Sequence, residues 1–211
     1  LHARSGQDVA GTFDGSDVAL FAVPLDLKDV RGNWRYADGT LALSEGSFRL
    51  EDREQVDRFQ PVISRDASLT FRDNVIHADA LMREPVSDRA VVHAEMQHNL
   101  SNTQGRADLA VQNITFDNKL QPETLTRLAL GVVANTQGSV RGEGEITWDE
   151  AGVKSTGAFT TDNLDFAAAF GPVKGVAGTI RFTDLLGLVT EPDQQLKIAA
   201  INPGIEVNEG L

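Results

Sequence analysis

The chain has 211 residues, 41% of them hydrophobic, and carries 31 acidic against 19 basic side chains, for a net charge of −12. That is enough chain for a real core, and the composition excludes a disordered tail or a membrane bundle. The negative charge argues against nucleic acid and against charge-driven docking on an anionic bilayer. The absence of cysteine removes thiol chemistry, thiolate metal sites and a disulfide framework.

In chain order, period-2 alternation dominates. Apolar pairs two apart fall at Leu25/Leu27, Leu41/Leu43, Phe48/Leu50, Leu69/Phe71, Leu109/Val111, Ile114/Phe116, Ile146/Trp148, Leu164/Phe166, Ile180/Phe182, Leu196/Ile198 and Ile205/Val207. Residues at i and i+2 of a strand share a face, and the residues between these pairs are mostly polar or small, as at Asp26, Arg49, Thr70, Thr147 and Arg181. The pattern predicts strands with one dry and one wet face. Asp38-Gly39, Glu45-Gly46, Asp73-Asn74 and the run from Asp149 to Gly152 read as turns between consecutive strands, so the sheet is expected to be an antiparallel meander. Gly138-Ser139-Val140-Arg141-Gly142 is read as a hairpin start. One or two short helices are expected: Pro122 opens a segment over 122–130, and a helical turn is expected over 184–189. Residues 52–59 read as a loop or a single turn.

Motifs for chemistry are absent. The four histidines show no His-Glu-x-x-His spacing and are read as solvent-facing strand residues, with His93 and His98 on opposite faces. No Gly-x-Ser-x-Gly elbow is present. Gly142-Glu143-Gly144 leads into a strand between acidic side chains, which suits a bend or a close backbone approach in a curved sheet better than a phosphate loop. The carboxylates single out no pair for glycoside hydrolysis or calcium. No catalytic residue, metal site or cofactor is expected, and the chain is read as non-enzymatic. No fixed-period repeat or low-complexity linker interrupts the chain, which predicts a single β-rich unit over 1–211, and Leu1 in place of Met with Leu211 where a strand would begin predicts an internal or C-terminal piece of a longer protein.

Five stretches carry a family resemblance. They are Gly171-Pro172-Val173 with Gly178-Thr179-Ile180-Arg181-Phe182-Thr183-Asp184-Leu185-Leu186, the turn Asn202-Pro203-Gly204-Ile205, and upstream Arg58-Phe59-Gln60-Pro61 with Leu120-Gln121-Pro122-Glu123-Thr124-Leu125. They resemble the YdbH-like branch of the AsmA-like intermembrane phospholipid transport proteins, also labelled a dicarboxylate transport domain. The resemblance implies a long antiparallel sheet bent into a U, with an apolar inner face that holds acyl chains. The groove lining is then expected at Leu69, Phe71, Leu109, Val111, Ile146, Trp148, Ile180, Phe182, Leu196 and Ile198. It also implies a periplasmic location, a parent chain anchored in the inner membrane, phospholipid acyl chains as ligand, and an outer-membrane or periplasmic lipoprotein as candidate partner. A dicarboxylate site would want paired cations in a polar pocket, whereas the arginines here stand beside acids. The competing reading of the same alternation is a closed β core serving as a structural or docking module of the envelope.

Overall fold

A computed structural model describes residues 8–20 and 23–202. The expectations for Leu1, His2, Pro203 to Val207 and Leu211 lie outside the described residues. One sheet of twelve strands runs through the molecule. Its long strands are β1 (Val9–Leu20), β2 (Leu25–Ala37), β3 (Thr40–Asp52), β4 (Val62–Arg72), β5 (Val75–Arg83), β6 (Ala90–Asn99), β7 (Gln104–Phe116), β8 (Val133–Asp149), β9 (Gly152–Ala168) and β10 (Gly171–Asp184). Each pairs antiparallel with the next. The short strands β11 (Val189–Thr190) and β12 (Ala200–Ile201) both pair with β10. The predicted meander is therefore the observed topology.

Turn chemistry explains one end of the strands. Asp38-Gly39 joins β2 to β3 and Asp73-Asn74 joins β4 to β5, with φ positive at both residues of each pair. That is the left-handed geometry whose twist matches a hairpin. Asp149 to Gly152 turns β8 into β9, as expected.

Two other expected breaks are bends instead. Glu45-Gly46 does not separate two strands. It lies inside β3, where Glu45 has φ of 51° and the register with β4 shifts on both sides of Gly46. Gly138 to Gly142 is likewise interior to β8, within a register shift, and starts no hairpin. A positive-φ residue in a strand inserts a bulge as readily as it ends the strand. Mid-strand irregularities recur in the β1–β2, β2–β3, β3–β4, β4–β5, β7–β8, β8–β9 and β9–β10 pairs. Bulges bend strands and sharpen twist, so this series curves the sheet.

Helical content is smaller than the spacing predicts. The 122–130 segment holds two single 3₁₀ turns, Pro122–Thr124 and Arg127–Ala129, and no α-helix. Tertiary bonds override the weak local pattern, because the Leu125 carbonyl accepts the Gln60 amide at 2.7 Å. Residues 185–188 form a turn, closed by Leu188 N–H to Leu185 O. Leu196 and Ile198 do not belong to a strand: they flank Lys197, whose only ladder contact is an isolated bridge to Ala177. They sit just past Pro192, in a segment that follows the β10 edge irregularly.

Candidate functional site: an apolar trough

The register shows which residues share a face. One row across the strands reads Trp34, Leu43, Leu69, Ala78, Met96, Ala107, Ile146 and Ser155. The next reads Tyr36, Leu41, Phe71, Ile76, His98, Gly105, Trp148 and Val153. Two further rows run Ala94–Leu109–Gly144–Gly157–Phe182 and Val111–Gly142–Phe159–Ile180. Directly paired residues point the same way, so these rows form one apolar face. The intervening row is polar: Ser68, Asp79, Glu95, Asp108, Glu145 and Thr156.

Eight of the ten expected lining residues therefore stand on one face: Leu69, Phe71, Leu109, Val111, Ile146, Trp148, Ile180 and Phe182. Val111 and Trp148 are buried and the other six are half-buried. Among the described residues no second sheet covers them. Leu196 and Ile198 are exposed at the edge beside β10 rather than within the face, although Leu196 reaches toward Gly178.

The far half of the same face is closed. Val62, Ala80 and Met82 form one buried cluster with Phe48, Leu50 and Val92 against it. Val111, Ile114 and Leu120 form a second, packed by Val91, Phe116, Leu125 and Phe159. Leu120 is 1% exposed. Over the second cluster lies a strap made by two loops, 53–61 and 117–132, which leave the sheet three strands apart and meet. The Gln60 amide donates to Leu125 O, the Thr126 hydroxyl donates to Arg58 O at 2.6 Å, and Arg127 pairs with Asp57 at 3.3 Å. Gln121 ties the second loop down, since its amide group donates to Thr136 O and accepts from Thr136 N, both at 2.8 Å.

A buried ion pair anchors the first loop. Asp52 has no exposed side-chain surface and accepts from the Arg58 guanidinium through both oxygens at 2.8 Å, and from the Arg58 amide at 2.7 Å. Burial pushes the Asp52 carboxyl up, but the Arg58 side chain and the amides of Arg58 and Glu54 outweigh it, and the net effect is downward.

The β10 end of the trough has its own small cover. Ser155 is a buried hydroxyl on the apolar face; it donates to Asp184 Oδ1 at 2.7 Å and accepts from the Leu186 amide at 3.0 Å. Asp184 also accepts from the Gly187 amide. The Ser155 hydroxyl first, then the Gly187 amide, hold the Asp184 carboxyl below its usual range. This turn places Leu185 over Gly144 and Gly157, where an added Cβ would lie 2.6 and 3.2 Å from Leu185 Cδ2. The backbone approach expected in this stretch falls at Gly142, where an added Cβ would meet the Ala158 carbonyl oxygen. Arg58 and Asp184, from opposite flanks of the face, each feel the other's charge, which fits a curved sheet.

Several site residues had no alternation to reveal them. Phe159 meets Phe182 edge-on, with centroids 5.8 Å apart. Its signal was the glycine on the facing strand, Gly142, which leaves room for the ring. His98 departs from the expected solvent-facing histidine: it is half-buried in the trough and accepts from Trp148 Nε1 at 3.1 Å. A buried indole N–H needs a partner, and the register supplies this one.

A curved sheet with one dry face, left open over part of its length, defines a protein able to hold an extended apolar ligand without directed chemistry. The model of the YdbH-like family, described as intermembrane phospholipid transport protein YdbH, matches residues 2–211, and the chain belongs to that family. Nothing among the curated proteins or among the solved structures matches it. The family is one of phospholipid transport between membranes.

Proposed function

We propose that this chain is a periplasmic segment of a bridge-like protein that conducts phospholipids between the inner and outer membranes along its apolar trough. The observation that supports this most strongly is the apolar face that runs from Trp34 on β2 to Phe182 on β10, open between the strap and the Leu185 turn. Eight inter-strand spacings of about 4.8 Å make it roughly 38 Å long. Each acyl CH₂ buried there is worth about 0.8 kcal/mol, so a lipid is retained by area alone and can slide, with no residue acting as a catalyst. Headgroups face the open side, toward water. In this reading 1–211 is a single β-rich unit, the parent chain is anchored in the inner membrane, and its far end meets an outer-membrane or periplasmic lipoprotein.

Native mass spectrometry of the gently purified chain tests this. Co-purifying phospholipid that disappears in Ile180→Asp or Phe182→Asp supports conduction. Lipid carried equally well by those variants refutes the lining assignment. The strap-covered half favours a second reading, a closed structural module. A stable, lipid-free protein with no lipid crosslinks at the half-buried positions would establish that reading instead.

A further inference from the structure

The face opposite the trough brings together three metal-ligating groups. Asp79 on β5 and Glu95 on β6 are direct cross-strand partners. His93 stands two residues before Glu95, so all three side chains project from the polar face. His93 Nε2 lies 2.7 Å from Asp79 Oδ2, and one donor atom from each of the three lies within 4.8 Å of the others.

We propose that Asp79, His93 and Glu95 form a binding site for a first-row divalent cation, with Zn²⁺ as the best match. One imidazole nitrogen and two carboxylate oxygens are a donor set such ions accept, with a remaining position open to water. At metal–ligand distances of about 2.1 Å, tetrahedral donors sit about 3.4 Å apart. The His93–Asp79 pair at 2.7 Å is closer than that and all three donors lie within 4.8 Å of one another, a spread that side-chain rotation can adjust. His93 and Asp79 are 31% and 50% exposed, which leaves an entry path.

The competing occupant is a proton, in a plain solvated His–Asp hydrogen bond. Two features favour a cation. The Glu95 side chain has no hydrogen bond or ion pair among the described residues, whereas its neighbours Asp108 and Glu145 both hold Arg106, at 2.6 and 2.8 Å. His93 and Glu95 also line a hollow of about 750 Å³ whose rim carries five carboxylates and two arginines. The field there is negative beyond what its own cations offset, and a concave wall concentrates it. The ion would staple β5 to β6 from the side away from the trough, and the site does not depend on the lipid reading.

The test is a titration of the tag-free, chelator-stripped chain with ZnCl₂ by isothermal calorimetry, with thermal unfolding followed in parallel. One ion per chain and a rise in Tm are expected. His93→Ala and Glu95→Gln should each weaken binding at least about tenfold, and His2→Ala should leave it unchanged. Absence of stoichiometric binding, or binding that survives both variants, overturns the site. Glu95→Gln removes a group with no structural partner, so it carries the test even if His93→Ala unfolds.

Discussion

The two halves of the apolar face share one alternation and differ in what lies above them. Near Ile114 and Leu120 the strap completes a packed core, and Val62 and Met82 belong to another buried cluster that shares Val92 with it. Near Leu69, Phe71, Ile146 and Ile180 the face stays half-exposed. Strands make a face dry, and loops decide whether it becomes core or binding surface. Substitutions of the same kind should therefore cost stability in one half and ligand in the other.

The largest effect is expected at Leu120, 1% exposed within the second cluster. Leu120→Ala should destabilise by about 2–5 kcal/mol, as large-to-small core changes do, read as a lowered urea midpoint. Next is the strap's anchor. Asp52→Asn leaves Arg58 facing a neutral group in a site with no exposed carboxylate surface, and should cost about 2–3 kcal/mol by loss of charge-assisted hydrogen bonds. Faster backbone hydrogen exchange over 53–61 and 117–132 should accompany it; exchange unchanged there would show that the pair does not hold the strap.

Acid should loosen the strap in the same sense. Asp117, whose carboxyl is lowered to about 2 by the Arg89 guanidinium and then the Lys119 amide, stands at the base of the second loop. A depressed carboxyl contributes stability above its unfolded pKa of 3.8 and loses it as pH falls through the folded value. Asp52 and Asp184 shift in the same direction. Tm should drop as pH goes from about 4 to 2, and Arg89→Ala should flatten that drop. The smallest effect on stability is expected in the open half. Phe71→Asp should change the unfolding free energy by about 1 kcal/mol or less, since most half-exposed substitutions do little, yet remove bound lipid.

The dry face was legible in the sequence because alternation holds within each stretch between bends, although a bulge such as Glu45-Gly46 shifts its parity. Leu69, Phe71, Ile146 and Ile180 share one face, as alternation within their strands implies. The bends were not legible, because Glu45-Gly46 has the composition of a turn and only the register with β4 shows it to be a bulge. Leu196/Ile198 alternates like the others but lacks a partner strand to complete a ladder. The strap was hidden for another reason. Arg58 to Pro61 and Leu120 to Leu125 carried the family resemblance as separate stretches, and only the fold shows that they bond to each other. His98 with Trp148, and Asp79 with His93, are likewise created by strand pairing and have no local spacing.

The central claim is that lipid occupies the uncovered half and not the covered one. The most direct measurement places photo-crosslinking residues singly at Phe71, Ile146 and Phe182 in the open half and at Met82 in the covered half, then identifies crosslinked lipid by mass spectrometry. Phospholipid adducts at the first three positions and none at Met82 are the predicted result. Adducts at Met82 as strong as at Phe71, or none at any of the four in a folded protein, would contradict the account.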